Sequence, residues 1–426
     1  MDIYQQYMYS YPHKTAYRPM KEIVLDSYLH YLAEQETNLY FHIPFCESKC
    51  GYCNLFSIVG QTEQTVENYL DAMEKHAEQL KKKIDKQLGK GTVHYNELII
   101  GGGTPLYLTE KQLERLFGIA KYMDEKEKII VVETSPKQTT EEKLLCLKEQ
   151  GVTRLSMGVQ SMCQEELDIL HRRHSVEDVE RAIEAIKRVG FPCVNLDIIY
   201  GIPGQTIQSL KNTLDRILSY DVEELFVYPL YIKRDIWLYQ NKVVQNAKTE
   251  ELYRFVREYL QRHGYQGLSM RRFVKRAGKM GSCGFENTIS IGCGGRSYIG
   301  NLHFCTPYQV LQKDCRKQLA SYLRQQDYTQ IENGFLLKEE EQRRRYSIKN
   351  LLFASGLDRV EYKMLFGREF LADFSMVSDW IKQGYVKEHA NKLLLTEEGM
   401  MLSDYLGPMF ISEQVKNLMQ TFWECR

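Results

Sequence analysis

The chain has 426 residues, which is more than one small hydrophobic core accommodates, so we expect one large domain and one smaller domain. Its 56 Lys and Arg residues balance its 56 Asp and Glu residues, which argues against a nucleic-acid partner because no overall positive charge attracts phosphates. No apolar run has the pattern of a signal peptide or the length of a membrane span, so we expect a soluble, cytoplasmic protein without a membrane partner. In a reducing compartment, clustered cysteines more often hold metal than form disulfides.

Short segments rich in β-branched and aromatic residues alternate with amphipathic segments in the first half of the chain. The alternation predicts parallel strands joined by crossover helices, which fits an incomplete α/β barrel or an open doubly wound sheet. Periodicity alone does not choose between the two. The segments that predict strands are 38–43, 97–100, 128–133, 153–157, 194–200 and 224–229, and those that predict helices are 66–87, 110–122, 141–150, 176–188 and 207–220.

Polar and glycine-rich residues follow these predicted strands at the point where each strand ends. In both architectures ligands bind at the carboxyl ends of parallel strands, so we expect these residues to meet at one rim. They are the cysteine loop 46–53 after the first strand, glycines 101–103 after the second, Glu133 at the end of the third, residues 158–160 after the fourth, and Asp197 in the fifth.

The second half of the chain has a looser pattern. A helix is expected at 250–263, and residues 278–308 are expected to close the barrel mouth. Beyond residue 339, helical segments and a hairpin of 380–386 with 392–396, followed by a helix at 401–406, predict a winged-helix-like domain. This domain lacks an obvious basic recognition face, which favours a packing or lid role. The predicted organisation is an N-terminal extension at 1–37, a barrel at 38–235, a barrel-closing region at 236–338 and the C-terminal domain at 339–426.

Three cysteines, Cys46, Cys50 and Cys53, lie within eight residues, and Gly51 between them lets the backbone wrap tightly. A structural zinc ion takes four protein ligands, and His42 is the only nearby candidate for the fourth. A four-iron cluster held by three thiolates instead leaves one iron open to a small molecule. A zinc-holding regulator therefore stays an alternative from spacing alone.

The segment YFHIPFCESKCGYC at 40–53 resembles the signature of the radical S-adenosylmethionine (radical SAM) superfamily. The sequence motifs HIPFC, GGGTP, GVQS and DIIYGIPGQT resemble those of one branch of that superfamily. This branch contains anaerobic coproporphyrinogen III oxidases and heme chaperones. The likeness covers residues 40–231, and a weaker one covers 339–412. It implies an α/β fold, a partial (β/α)6 radical SAM barrel followed by a small winged-helix-like C-terminal domain.

The resemblance also implies cofactors, partners and residue roles. Cys46, Cys50 and Cys53 would hold a [4Fe-4S] cluster, and an electron donor such as flavodoxin or ferredoxin would reduce it. The reduced cluster would cleave S-adenosyl-L-methionine and start radical chemistry on a small-molecule substrate, a tetrapyrrole by analogy. The residues implied to contact S-adenosylmethionine are Tyr40, Tyr52, Gly102, Gly103, Thr104 and Glu133, with Gln160, Arg172 and Asp197 at positions where the oxidases contact a second molecule of it.

Two departures separate the chain from both kinds of relative. The oxidases carry a further cysteine two residues after the third, where this chain has Leu55, and the heme chaperones carry a His-Asn-x-x-Tyr-Trp word that is absent at 284–292. We therefore expect an oxidase-like radical enzyme, and the alternative is a heme or iron–sulfur cofactor carrier without turnover. The aromatic and basic segment around His13 is expected to cover the substrate mouth.

Overall fold

The computed structural model of the protein describes residues 8, 10–126, 128–275 and 286–424. Strands of two to eight residues account for the sheets in this part of the chain. In order they are β1 (Arg18–Pro19), β2 (Thr37–Ile43), β3 (Phe45–Cys46), β4 (Ile58–Val59), β5 (Tyr95–Gly102), β6 (Ile129–Thr134), β7 (Arg154–Gln160), β8 (Cys193–Tyr200), β9 (Glu224–Pro229), β10 (Gln266–Gly267), β11 (Arg272–Val274), β12 (Asn287–Ile291), β13 (Arg296–Ile299), β14 (Leu302–Cys305), β15 (Asn333–Leu336), β16 (Leu357–Asp358), β17 (Val386–His389) and β18 (Lys392–Leu395).

Helices follow most of the parallel strands and begin at residues whose side chains cap them. Thr109, Ser175 and Thr206 each accept a hydrogen bond from a backbone N–H in the first turn of the helix that follows. No helix in the described ranges combines the length and apolar character needed to cross a membrane. The α-helices are α1 (Tyr31–Glu34), α2 (Glu63–Leu88), α3 (Glu110–Met123), α4 (Glu141–Glu149), α5 (Gln164–Ile169), α6 (Val176–Val189), α7 (Ile207–Leu218), α8 (Trp237–Gln240), α9 (Thr249–Arg262), α10 (Gln312–Arg324), α11 (Glu339–Leu351), α12 (Arg359–Phe366), α13 (Phe370–Asp373), α14 (Met376–Lys382), α15 (Glu397–Met401), α16 (Ser403–Leu406) and α17 (Glu413–Glu424).

The main sheet is a continuous curved wall with a parallel centre. Its order is β1-β15-β14-β13-β12-β2-β5-β6-β7-β8-β9-β11-β10. From β2 to β9 the six strands are parallel, and each lies beside the next one along the chain. A doubly wound sheet reverses its order at a switch point, whereas a barrel does not. The partial (β/α)6 barrel is therefore confirmed.

The six predicted strands are present, and two of them run more than one residue beyond the predicted carboxyl end. β5 continues to Gly102 and β7 continues to Gln160, where a bulge shifts the register between Gly158 and Gln160. Glycine weakens the sequence signal for a strand, so the pattern stopped short of both ends. As a result, the glycine-containing motifs form the carboxyl ends of the strands.

Residues 286–308 extend the sheet next to the barrel. β12 pairs parallel to β2, and β13 and β14 continue that edge in antiparallel fashion. Of the segment expected at the barrel mouth, residues 278–285 lie outside the described residues, and residues 294–296 and 306–308 line the cavity at the mouth. The loosely patterned region thus supplies both sheet edge and cavity wall.

The C-terminal part contains the small three-stranded sheet β16-β18-β17 among helices, as a winged-helix-like unit requires. The predicted hairpin was wrong in its first arm: residues 380–382 end α14, and the arm is β17 (Val386–His389). Val377 and Trp380 are buried at helical spacing, which explains the helix. The helix predicted at 401–406 is interrupted, because α15 ends at Met401 and α16 begins at Ser403.

Candidate active site

A cavity of about 1010 Å³ opens at the carboxyl ends of the parallel strands and continues into the barrel. It is large enough for a cofactor together with a substrate. The structure brings together around it every residue to which the sequence gave a role in the site. They are Tyr40, Cys46, Cys50, Tyr52, Cys53, Gly102, Gly103, Thr104, Glu133, Gln160, Arg172 and Asp197.

The cysteine loop is held in place by its own backbone. The Gly51 N–H donates to the carbonyl of Leu170 at 2.9 Å, and the N–H of Leu238 donates to the Gly51 carbonyl at 2.9 Å. A Cβ at Gly51 would lie 3.1 Å from the Leu170 oxygen and 3.2 Å from the Trp237 ring. A side chain at this position would require these neighbours to shift. The loop is therefore fixed between the segment after α5 and the start of α8.

Each of the three thiols has a polar partner at the cavity wall. Thr104 Oγ1 donates to Cys46 Sγ at 3.6 Å, Arg172 Nη1 donates to Cys50 Sγ at 3.0 Å, and Ser57 Oγ lies 3.9 Å from Cys53 Sγ. Burial raises the pKa of Cys46 to about 12 and also raises the pKa of Cys53. Such thiols ionise only when a metal takes up their charge, because a metal deprotonates the thiol that coordinates it.

The donor set fits an iron–sulfur cluster better than a zinc ion. Nowhere in the described ranges are three or more His, Cys, Asp or Glu side chains placed so that together they could hold a metal ion. In a [4Fe-4S] cluster each thiolate binds a different iron, so the thiols need not meet at one point. His42 is not available as a fourth zinc ligand, because its Nε2 lies 3.0 Å from the Phe56 carbonyl and its Nδ1 lies 3.2 Å from the Tyr40 hydroxyl.

The hydrogen bonds of His42 define its tautomer. Burial lowers the pKa of His42 to about 3, so the ring is neutral. A carbonyl only accepts, so Nε2 donates to Phe56, and Nδ1 is left to accept from the Tyr40 hydroxyl. Gly102 has a positive φ of 117°, and a Cβ there would lie 2.7 Å from the His42 ring. The ring and the glycine therefore depend on one another for their positions.

The glycine run also makes room for a buried carboxylate. The Gly102 N–H donates to Glu133 Oε2 at 3.1 Å, and a Cβ at Gly101 would lie 2.6 Å from the same oxygen. Burial raises the pKa of Glu133, and the hydrogen bond from Gly102 opposes that rise. The carboxylate faces the cavity, where a ligand ammonium or hydroxyl group would satisfy it.

Arg172 connects the cysteine loop to the neighbouring strand. Its Nη2 donates to the Gly158 carbonyl at 2.5 Å, while its buried Nε has no hydrogen-bond partner. Burial lowers the pKa of Arg172, but Cys50 and Tyr52 together raise it by more than burial lowers it. The net shift is therefore upward, and the guanidinium stays charged. A buried cation with an unused N–H next to a thiol suits an anionic cluster or ligand group.

Asp197 faces the same cavity from β8. Asn195 Nδ2 donates to Asp197 Oδ1 at 2.8 Å. Burial raises the pKa of Asp197 to about 7; this hydrogen bond opposes the rise, and the charge of Glu133 adds to it. Gln160 lies at the bulge of β7 with a positive φ of 73°, which is strained for a residue other than glycine. Such strain at a cavity wall is typical of functional sites.

The cavity is also lined by a set of basic side chains from distant parts of the chain. One of them, Lys349, pairs with Glu286 at 3.0 Å. The set comes from four separate parts of the chain and belongs to no motif, so no local signal could have found it. Its members are Lys14, Lys233, Arg234, Arg296, Arg345 and Lys349.

Part of the N-terminal segment lies at the cavity. His13 and Lys14 line the cavity, and the His13 ring lies edge-on to the Tyr308 ring at 5.6 Å. Burial lowers the pKa of His13 to about 3, and Arg296 and Lys233 lower it further. His13 is thus a neutral wall residue. The segment is also part of the core, because Tyr11 and Tyr17 are buried.

Residues 40–217 match the family model of the radical SAM superfamily. These residues form a radical SAM domain. Members of the superfamily use a [4Fe-4S] cluster and S-adenosylmethionine, and these are the cofactors of the radical SAM domain described here. The cysteine loop and the rim residues all fall within the matched range.

The chain is similar to a heme chaperone and to an oxygen-independent coproporphyrinogen III oxidase. It is 28% identical over 397 residues to the heme chaperone HemW of Bacillus subtilis, covering 88% of this chain and 99% of that protein. It is 26% identical over 426 residues to the oxygen-independent coproporphyrinogen III oxidase of Escherichia coli, covering 93% and 92%. The solved structure of coproporphyrinogen III oxidase (HemN) from Escherichia coli superposes with a TM-score of 0.80 at 23% identity, over 97% of this chain and 96% of that one. That superposition confirms the fold.

Proposed function

We propose that this protein is a coproporphyrinogen III oxidase-like radical SAM enzyme that cleaves S-adenosylmethionine reductively at a cluster held by Cys46, Cys50 and Cys53. The observation that carries the proposal is the convergence of three thiols and the predicted S-adenosylmethionine contacts on one cavity. When bound, the cluster supplies the electron that splits S-adenosylmethionine into methionine and a 5′-deoxyadenosyl radical, which abstracts hydrogen from a substrate.

The residues of this chain would bind and orient the cofactors. Glu133 would accept hydrogen bonds from the ammonium of the methionine moiety, and Gly103 allows the ligand to approach the backbone closely. Tyr52 packs against the apolar cluster around Leu170 and Ile199, which makes its ring a flat wall for adenine. Arg172 would hold its positive charge beside Cys50 and balance the negative charge of the cluster.

The chain ends would keep water away from the reaction. Met419 and Trp423 on α17 line the cavity together with His13 and Lys14. Arg18 Nη2 donates to Thr421 Oγ1 at 2.8 Å, which ties the N-terminal segment to α17. A carbon radical exposed to bulk water reacts unproductively, so this enclosure has a chemical purpose.

We infer that the substrate carries several negative charges, and a tetrapyrrole with carboxylate side chains is the candidate that the relatives favour. The basic residues Lys14, Lys233, Arg234, Arg296, Arg345 and Lys349 support this inference, because guanidinium and ammonium groups pair with carboxylates. The whole chain has zero net charge, so the six basic residues at this cavity do not reflect an overall excess of basic residues.

The second candidate function is a heme or iron–sulfur cofactor carrier without turnover. It is supported by the similarity to the heme chaperone HemW over nearly the full length of that protein. Anaerobic reconstitution with iron and sulfide, followed by dithionite and S-adenosylmethionine, distinguishes the two. We expect 5′-deoxyadenosine to form. An intact cluster that forms none would favour the carrier.

We predict that Lys233→Met weakens the binding of coproporphyrin III by about 10-fold, since one charged hydrogen bond to a carboxylate contributes on the order of 1.5 kcal/mol. Lys233 lines the cavity within electrostatic range of His13. Fluorescence titration of the porphyrin measures the Kd. Lys90→Met, at an exposed turn before β5, is the matched control and should leave the Kd unchanged. Equal Kd values for both variants, or equal affinity for the tetramethyl ester, would contradict the charge argument.

We predict that Asp197→Asn changes how the stability of the cofactor-free protein depends on pH. The pKa of about 7 lies above the ordinary value of 3.8, so the folded protein keeps a proton that the unfolded chain loses between about pH 4 and pH 7. Wild-type stability should therefore fall as pH rises through this window, by at most about 1.4 kcal/mol per unit from this group. The variant should lack this fall and be the more stable protein at pH 8.

Urea unfolding at pH 5 and pH 8 measures the difference. Asp215→Asn is the control, because hydrogen bonds from Lys211 and Tyr259 lower the pKa of Asp215 below its ordinary value, so this carboxylate is ionised at both pH 5 and pH 8. The variant should therefore keep the wild-type difference in stability between the two pH values. A parallel pH dependence in wild type and Asp197→Asn would show that folding does not raise the pKa of Asp197.

A further inference from the structure

Three polar side chains join the C-terminal part of the chain to the rim of the barrel. They are Tyr231, two residues beyond the end of β9, Arg271, directly before β11, and Asp404 on α16. Arg271 and Asp404 form an ion pair and are only 5% and 1% exposed, so the pair lies away from water. We refer to these three residues as the Tyr231 triad.

Each member of the Tyr231 triad contacts the other two. Arg271 Nη2 donates both to the hydroxyl of Tyr231 and to Oδ1 of Asp404, and the Tyr231 hydroxyl donates to Oδ2 of Asp404. Burial raises the pKa of Tyr231 well above its ordinary value, so the hydroxyl keeps the proton that it donates. The triad holds the Tyr231 side chain in place, because moving it would leave polar groups buried without these hydrogen bonds.

The ring of Tyr231 lies at the cavity and supports a cation there. Tyr231 and Lys233 both line the cavity, and Lys233 Nζ lies over the Tyr231 ring at 5.3 Å from its centroid. An ammonium group at this distance is attracted to the face of the ring. Lysine has a flexible four-carbon stem, so a fixed ring beneath the ammonium restricts where the charge can lie.

A second ring from the C-terminal part supports the next cation along the chain. The Arg234 guanidinium lies over the ring of Trp423 on α17 at 5.4 Å from its centroid, and both residues line the cavity. Only residues 407–412 separate α16 from α17. The C-terminal part therefore contacts residues 231–234 twice, once through Asp404 and once through Trp423.

The Tyr231 triad differs from an ion pair that joins the same two parts of the chain at the surface. Arg254 on α9 pairs with Glu398 on α15 at 3.0 Å, and their side chains are 46% and 58% exposed. Exposed pairs of this kind contribute little, because water screens them and both side chains lose freedom. The buried triad is the better suited of the two to hold a side chain in one position.

We propose that Asp404 and Tyr231 are positioning residues for the substrate. Asp404 holds the Tyr231 hydroxyl, and the Tyr231 ring holds the Lys233 ammonium where a substrate carboxylate would bind. The inference rests on the proposed function, because it assumes an anionic substrate in this cavity. A binding group that is already held in its bound position loses less freedom on binding, which improves affinity. The C-terminal part of the chain thus takes a share in substrate binding.

The test is a double-mutant cycle for the binding of coproporphyrin III, with Tyr231→Phe, Lys233→Met and the combined variant of the full-length protein. Tyr231→Phe keeps the ring and removes only the hydroxyl that Asp404 and Arg271 hold. We expect it to raise the Kd by about 5-fold, which is less than for Lys233→Met because the ammonium is still present but less restricted. In the Lys233→Met protein, Tyr231→Phe should change the Kd no further.

The same cycle can contradict the proposal. If Tyr231→Phe raised the Kd by the same factor with and without Lys233, Tyr231 would not act through Lys233, and the proposal would be wrong. Asp404→Asn should also weaken binding, and it should add nothing in a protein that already carries Tyr231→Phe. Independent effects of these two variants would remove Asp404 from the positioning role.

Tyr265→Phe is the matched control for the loss of a buried hydroxyl. The Tyr265 hydroxyl donates to the Val222 carbonyl at 2.6 Å, at the other end of β9, and Tyr265 does not line the cavity. This variant should lower the free energy of unfolding in urea and leave the Kd unchanged. If it weakened binding as much as Tyr231→Phe does, the effect would come from lost stability, and the positioning proposal would be overturned.

A measurement without substrate separates this proposal from the proposed function. Trace acetylation followed by peptide mass spectrometry gives the reactivity of the Lys233 amine relative to that of the exposed Lys90. We expect Tyr231→Phe, but not Tyr265→Phe, to increase this ratio by about 3-fold. An unchanged ratio would overturn the positioning of Lys233, even if coproporphyrin III binds. An increased ratio in a protein that binds no coproporphyrin III would support the positioning and show that the proposed substrate is wrong.

Discussion

Cys50→Ala should reduce the formation of 5′-deoxyadenosine to the level of a protein-free reaction and remove most of the iron. Among the described residues, Cys50 is one of three cysteines that line the cavity, and its loss also leaves Arg172 without the Sγ atom that lies 3.0 Å from Nη1. Changes in groups that merely support a metal ligand cost about 10- to 100-fold, so removal of a ligand should exceed that range. Iron and sulfide analysis and product chromatography after anaerobic reconstitution measure both effects.

Cys163→Ala is the matched control for the loss of a thiol. Cys163 precedes α5, outside the cavity, and its Sγ donates to Glu165 Oε2 at 3.0 Å. This variant should keep wild-type iron content and cleavage. Cys50→Ala with full iron content would show that Cys50 is not a ligand, and stoichiometric zinc in the purified wild type would favour the zinc-holding alternative instead.

The barrel and its rim could be predicted because their signals are local. Each parallel strand is a short β-rich run, and the residues that matter, such as Glu133 and Asp197, lie at or near the carboxyl end of the strand that carries them. The strand order follows the chain order, so no long-range pairing had to be guessed. Topology then brings these ends together without further information from the sequence.

The basic residues that line the cavity could not be predicted, because their positions depend on contacts between distant parts of the chain. Lys14, Arg296 and Arg345 come from the N-terminal segment, β13 and α11, and no spacing in the sequence relates them. The same limit explains the error at residues 380–386. A run of aromatic and branched residues suggested a strand, but the packing of Trp380 against Phe410 at 5.6 Å between ring centroids keeps it in α14. Tertiary contacts decided what local pattern could not.

Gly103→Ala should destabilise the cluster site, although it adds only one methyl group. A Cβ at Gly103 would lie 2.8 Å from the Phe45 carbonyl oxygen and 2.9 Å from Cys46 Sγ, and the former is backbone that cannot swing away. Overpacking of this kind costs about 1–3 kcal/mol, and here the strain falls on a thiol that would bind iron. We expect lower iron content after reconstitution and a lower free energy of unfolding in urea.

Gly118→Ala separates the steric effect from the loss of a glycine as such. Gly118 lies inside α3, and a Cβ there would have no atom within 4 Å. Alanine should therefore stabilise the helix by about 0.5–1 kcal/mol and leave iron content unchanged. If Gly103→Ala behaved like Gly118→Ala, the close approach of residues 44–46 to the glycine run would not exist. The two variants should instead change the free energy of unfolding in opposite directions. Alanine loses less backbone entropy than glycine on folding at both positions, but only at Gly103 does its Cβ clash with neighbouring atoms.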